Sequence, residues 1–321
     1  MNPLFTFEKA KREKCKASIQ LEGLTGTGKS GLALLLAYGL TKDWNKVFAI
    51  DTENKSLNLF VGIDSSSAIP FGSFNVGQLT PDVGFKPTNY LAFRESAIKA
   101  GAEAVIEDSI SHAWNYKGGI LDLLNDAKSK NARFAKDSYA AWSDETVAKE
   151  KNELLQLIRD PRCHVITTVR VKEKMEYTVE NGQTKLVSLG ELQIQQSELK
   201  YEPDLVLHTL SPGQCVDGKI TYPRVKVIKT RYAIFLKDQE YEMTPELIEQ
   251  LRLYLEEGVD PKELLEQQRQ EYVKAVADYL DHHPNSKTIW QIMKSDAGYK
   301  DIKLADMPLD ILKSLYIKLI N

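Results

Sequence analysis

Gly23-Leu24-Thr25-Gly26-Thr27-Gly28-Lys29-Ser30 has the spacing G-x-x-x-x-G-K-S. It follows a short apolar run that reads as a strand, Ala17–Leu21, and opens into an apolar run that reads as a helix, Leu32–Leu40. Strand, glycine-rich loop and helix in that order spell a phosphate-binding loop, and the two flanks separate it from a chance match. Glycines let backbone N–H groups turn inward around phosphates, and the helix N-terminus adds the positive end of its dipole. Gly23, Thr25, Gly26, Thr27 and Gly28 are the expected cradle. Lys29 supplies a point charge for the β- and γ-phosphates, and Ser30 offers a hydroxyl to Mg2+. The chain is expected to bind a nucleoside triphosphate.

Working outward, a basic segment, Phe5–Lys16, reads as a short helix before the first strand. A second strand is expected over Lys46–Asp51, then loops and a short strand between Gly62 and Pro87, a helix over Asn89–Ala100 and a third strand over Ala104–Asp108. A long insertion, His112–Thr146, precedes a helix over Glu145–Arg159 and a fourth strand over His164–Val171. Strands alternating with helices imply a mostly parallel sheet with right-handed crossovers, an α/β core. The pattern then turns to β. Met175–Val179 and Thr184–Ser188 flank Asn181-Gly182, a two-residue hairpin signal. Further strands are expected over Asp204–Leu210, Lys219–Tyr222 and Arg224–Leu236. From Thr244 onward everything reads helical, with Thr244 as N-cap and Pro245 in the first turn. The expected division is a core over 1–242 and a small helical domain over 243–321.

A phosphate-binding loop does not name a reaction. The third strand closes on Glu107-Asp108, where such folds place a magnesium-holding carboxylate. Alternation sends the two acids to opposite faces, and Asp108 has the motif position. The second strand ends Asp51-Thr52-Glu53. Glu53, just past a neighbouring parallel strand, lies over the same edge and can polarise a water; the plain alternative is a solvated loop acid.

Phe48–Leu57 resembles the segment of the RecA recombinases that carries their catalytic glutamate. Val105–Ser109 resembles their magnesium-binding strand, and Thr167–Lys172 is similar to the strand end that holds their γ-phosphate sensor. Arg224–Arg231 is similar to the run that brings basic residues to ATP across a subunit interface. The four segments stand in RecA order and cover roughly residues 17 to 240 with gaps. Gln195–Asp204 further resembles a segment of phage-encoded RecA-like ATPases that include single-strand annealing proteins. The resemblance implies a RecA-like core and a magnesium-dependent, DNA-stimulated ATPase. Its roles would be Lys29 and Ser30 on phosphates and Mg2+, Glu53 as base, Asp108 on Mg2+ and Thr168 as sensor. Lys229 and Arg231 would reach a neighbour's γ-phosphate in a filament or ring. Thr168 is shorter than the amide side chain usual at its place, and neither the 112–146 insertion nor the helical tail matches the family.

The net charge of −3 carries no global basic field, so contact with nucleic acid must come from local patches. One is Lys128, Lys130, Arg133 and Lys136 interleaved with Phe134 and followed by Tyr139 and Trp142; another is the hairpin with Lys172, Lys174, Tyr177 and Lys185. Basic residues neutralise phosphates while aromatic faces stack bases; the plain alternative is a solvated face. His112 and Trp114 can pack or touch substrate, and packing is favoured. Cys15, Cys163 and Cys215 are widely spaced and odd in number, which suits a reducing, cytoplasmic compartment, and no apolar stretch reaches the length of a membrane span. Trp290, Met293, Met307, Leu312 and Leu315 suggest a helical core able to hold a protein partner. Two rival functions stay open: a nucleotide-dependent switch or loader engaging a replication or packaging protein, and a small-molecule kinase, against which the β-rich second half speaks.

Overall fold

A computed structural model describes residues 9–62, 71–137, 139–180, 183–216 and 219–320. Its strands are β1 (Ser18–Gly23), β2 (Val47–Asp51), β3 (Asn75–Gln78), β4 (Ala104–Asp108), β5 (His164–Glu180), β6 (Gln183–Gln193), β7 (Leu205–Ser211), β8 (Gln214–Val216), β9 (Lys219–Thr221), β10 (Arg224–Thr230) and β11 (Glu240–Glu242). Its helices are α1 (Lys29–Thr41), α2 (Pro87–Lys99), α3 (Ser111–Asn115), α4 (Ile120–Lys130), α5 (Ala132–Lys136), α6 (Glu145–Gln156), α7 (Pro245–Glu256), α8 (Pro261–His282), α9 (Ser286–Asp296) and α10 (Leu309–Ile320). The chain is an α/β protein built on a nine-stranded sheet in the order β11-β10-β7-β1-β5-β4-β2-β3, with β6 paired to β5. β7, β1, β5, β4, β2 and β3 are mutually parallel; β10, β11 and β6 join antiparallel.

Near-continuous apolar runs make the central strands buried on both faces, as a covered parallel sheet requires. Ile19, Leu21, Val105, Ile106, Val165 and Ile166 are all buried. α1 carries no polar stripe: Leu32 through Ala37, Gly39 and Leu40 are all buried, so the helix that follows the loop is a core element rather than an amphipathic cover. That burial fixes the loop's exit direction.

The two compact units are Cys15–Leu255, and Glu256 onward together with the described residues before Cys15. The division falls later than the expected 242/243 because Ile248, Leu251 and Leu255 of α7 join the main core with Leu32, Leu36 and Val225. Thr244 does cap that helix: Leu247 N donates to its Oγ1 at 3.2 Å. The expected helix over Phe5–Lys16 does not form in its described part, Lys9–Lys16. There the backbone is spent on β-type pairing, with Lys14 N donating to Val259 O and Val259 N to Arg12 O, both at 3.0 Å. The insertion holds α3, α4 and α5 and its own small core around Leu124, Ala127, Ala141 and Val147. β5 and β6 form the expected hairpin; Asn181 and Gly182, assigned to its turn, lie outside the described residues. The smaller unit is organised around Val276, Trp290, Met307, Leu312 and Leu315.

Alternation at the end of β4 works as expected. Glu107 turns into the core, where Arg94 of α2 pairs with it; both side chains are almost wholly buried. Arg94 Nη1 also donates to Gln156 O at 2.8 Å, and Nη2 to Leu157 O. Burial pushes the Glu107 carboxyl up and Arg94 pulls it back. Arg94→Met, which strands the acid, is expected to lower unfolding free energy by about 3–5 kcal/mol, and adding Glu107→Leu to recover most of the loss. Urea unfolding of the full chain measures both; a single-variant loss below about 1 kcal/mol would contradict this role for the pair.

Candidate active site

The loop of residues 23–30 leaves β1 at the carboxyl edge of the sheet, between β5 and β7. Gly26 and Gly28 have φ of 83° and 88°, the left-handed region that glycine enters at little cost. At Gly28 the packing adds a second reason: a Cβ there would come within 2.8 Å of Pro212 Cα. Thr27 Oγ1 donates to Leu24 O at 2.8 Å and meets Thr209 Oγ1 at 2.6 Å, so the end of β7 and the Pro212 that follows it brace the loop from outside. α1 starts at Lys29 with no side-chain cap and no acid in its first turn. Its N-terminal amides thus face the loop's mouth without an internal competitor, the arrangement that receives phosphate. Lys29 Nζ donates to Gly23 O and Leu24 O at 2.9 and 2.7 Å. Burial lowers its pKa below the ordinary lysine value, while Asp108 and Glu53 pull it back. Both acids are therefore close enough to act on the loop lysine.

Asp108 sits at the end of β4, almost fully buried. Thr168 Oγ1 donates to its Oδ1 at 2.5 Å, whereas Oδ2 is buried with no partner among the described residues. Burial raises the pKa of this carboxyl, and the hydroxyls of Ser30 and Thr168 pull it back. An orphaned buried carboxylate oxygen beside a serine hydroxyl fits a hard divalent cation. Among the described residues no group of three or more His, Cys, Asp or Glu side chains could hold a metal. Mg2+ takes one or two carboxylates and completes its shell with water and substrate phosphates. Ser30 and Asp108 are the residues that would hold it.

Glu53 is positioned by its own loop. Asp51, fully buried at the end of β2, accepts Glu53 N at 2.6 Å and Leu57 N at 3.0 Å. Thr52 N donates to Asp108 O at 2.8 Å, which ties this loop to β4. The Glu53 side chain accepts from Arg170 at Nε (3.0 Å) and Nη2 (2.7 Å). The carboxylate is thus held and half-exposed rather than freely solvated.

Thr168, expected as a phosphate sensor, is fully buried with its hydroxyl spent on Asp108. The side chain of β5 that reaches Glu53 is Arg170, two residues on and on the same face of the strand. Sequence reading missed Arg170 although alternation from Thr168 points to it, and missed Asp51, whose bracing of the loop leaves no local sequence mark. Lys229 and Arg231 lie elsewhere. β10 runs antiparallel to β7, and Thr230 pairs with Leu205, which pairs with Ile19 at the start of β1. They sit at the edge of the sheet opposite the loop. Lys229 Nζ donates to Tyr201 O and Pro203 O, and Arg231 Nη1 meets Asp204 Oδ1 at 2.7 Å, leaving the Arg231 side chain 52% exposed. Neither can serve its own chain's loop.

Of the residues expected to meet nucleic acid, Tyr139 is 89% exposed, Lys130, Arg133 and Lys136 are exposed, and Lys128 is partly buried. Phe134 and Trp142 instead pack on the insertion's core, and Trp142 stacks on Trp114 at 6.2 Å. Lys172 is exposed at the base of the hairpin; Lys174, Tyr177 and Lys185 lie outside the described side chains. No helix among the described residues is long and apolar enough to cross a membrane. No protein-family model matches the chain, and no curated protein is significantly similar to it.

Proposed function

We propose that this chain is a RecA-like ATPase that hydrolyses ATP with Mg2+ and acts on single-stranded DNA, in phage or prophage recombination or annealing. One observation carries the reading: the loop with Lys29 and Ser30, the buried Asp108 and the braced Glu53 converge at one edge of a parallel sheet. The strand order β1-β5-β4-β2, which sets loop, Arg170, Asp108 and Glu53 side by side, supports a RecA-like core.

The amides of the loop and the first turn of α1 hold the phosphates, and Lys29 neutralises charge on the terminal pair. Ser30 and Asp108 would hold a magnesium ion, which would supply neutralisation of the charge that develops on the phosphates. Glu53 accepts a proton from, and orients, the attacking water. Asp51 acts through Glu53 and is a positioning residue. Lys229 and Arg231, facing away from their own loop, serve a neighbouring subunit's triphosphate in a head-to-tail filament or ring. Tyr139 with its exposed lysines and arginine, and the β5–β6 hairpin, meet the single strand. The helical unit beyond Glu256 meets a protein partner. The compartment is the cytoplasm, that of the host if the chain is phage encoded.

Arg231→Ala protein is expected to lose turnover, because an arginine acting on the transferred phosphate contributes about 10³–10⁵ in rate. Mixing it with Glu53→Ala protein should restore part of the activity, since each subunit then supplies what the other lacks. Turnover at varied mixing ratios measures this; an Arg231→Ala protein as active as the parent would remove Arg231 from the reaction.

A further inference from the structure

Beside Glu53 lies a cavity of about 520 Å3, lined among others by Glu53, Lys55, Phe85, His112, Tyr116 and Arg170. Its volume suits a small organic ligand. Three of these residues form an aromatic cluster. Phe85 and His112 are buried, with ring centroids 5.2 Å apart, and Tyr116 lies 5.4 Å from Phe85 and 4.6 Å from His112. Tyr116 itself is 48% exposed. Its ring is therefore fixed from behind by two packed rings and still has surface to offer, which is what a stacking platform requires.

The polar part of the lining selects an anion. Lys55 and Arg170 outnumber Glu53, the one acid that lines the cavity. His112 adds no charge. With Thr52 Oγ1 donating to Asp108 O, its 2.7 Å contact with His112 Nδ1 is a hydrogen bond donated by the ring N–H, the tautomer that leaves Nε2 as a neutral acceptor. Burial first, and Arg170 second, hold the imidazole pKa at about 4, so it stays uncharged at neutral pH. The lysine is presented by a braced loop: Lys55 has φ of 65°, and its N donates to Gln78 Oε1 at 3.2 Å.

We infer that this cavity is a second binding site, which takes a nucleotide unit with its phosphate on Arg170 and Lys55 and its base against Tyr116. The inference rests on the proposed ATPase reading in one respect only, the consequence for Glu53. Arg170 holds that carboxylate at 2.7 and 3.0 Å. A phosphate in the cavity competes for the guanidinium and releases Glu53 to the water at the loop. Filling the cavity thus raises hydrolysis. A free mononucleotide and a residue within a single strand offer the same chemistry, and their binding separates the two sources.

The test uses Lys29→Ala protein of this chain, in which the loop's hold on nucleotide is weakened by about 10²–10³-fold, and equilibrium dialysis against thymidine monophosphate and a short thymidine oligonucleotide. One or both should bind. Adding Tyr116→Ala or Arg170→Gln should weaken binding by about tenfold or more, whereas Tyr116→Phe, which keeps the ring, should bind like the parent. Binding of the monophosphate identifies a free-nucleotide pocket; binding of the oligonucleotide alone identifies a strand site. No binding of either probe would overturn the inference, and so would binding indifferent to both Tyr116 and Arg170. Failure of wild-type protein to bind ATP would sink the ATPase reading instead, and the Tyr116 dependence would still decide the cavity.

Discussion

Lys29→Ala protein is expected to bind ATP about 10²–10³-fold more weakly than wild type and to show no measurable turnover. Lys29 carries the one ammonium inside the loop, and a charge-assisted hydrogen bond contributes about 1.5–3 kcal/mol. Two phosphate contacts together account for the loss. Its present partners are two carbonyls of the same loop, Gly23 O and Leu24 O, so removing the ammonium breaks no hydrogen bond to another element of the fold. Folding is therefore expected to change little. Titration calorimetry with ATP and Mg2+ measures the affinity, and thermal unfolding of the same sample measures the fold. Affinity within about threefold of wild type would place the triphosphate elsewhere.

Glu53→Gln should do the opposite to the two quantities. The amide keeps the size of the carboxylate and can accept from Arg170, but it cannot take a proton, and turnover should fall by about 10²–10⁴-fold. Triphosphate affinity should stay within a few-fold, because Glu53 approaches the loop from the β2 side and donates nothing to phosphate. Single-turnover hydrolysis at saturating ATP separates the two effects. Equal losses of affinity and rate would make Glu53 a binding residue. Unchanged turnover would make it a half-buried surface acid whose business is Arg170.

What could be read from the residues depended on how local the signal was. The loop, the acid at the end of β4 and the strand Ala104–Asp108 are written in contiguous residues, and the structure has them where periodicity placed them. The opposite facing of Glu107 and Asp108 follows from strand alternation alone. Other features depend on distant partners. Thr168 looks available in sequence, but its hydroxyl is taken by Asp108, sixty residues away, and only the parallel pairing of β4 with β5 creates that contact. Arg170 reaches Glu53 across 117 positions of sequence. The larger compact unit runs on to Leu255, past the expected 242, because amphipathic spacing in α7 says that one face is buried and not against what. Its buried face belongs to the sheet. The insertion's aromatic residues read alike as stacking platforms, yet Phe134 and Trp142 pack inward and Tyr139 does not.

Release of inorganic phosphate from ATP by this chain, with Mg2+ and with or without single-stranded DNA, puts Lys29, Asp108 and Glu53 to work together. Phosphate should appear, faster with the single strand, need Mg2+, and vanish in Lys29→Ala protein. A wild-type chain that releases none in either condition, or a Lys29→Ala chain that releases it as fast, would contradict a triphosphate cleaved at this loop.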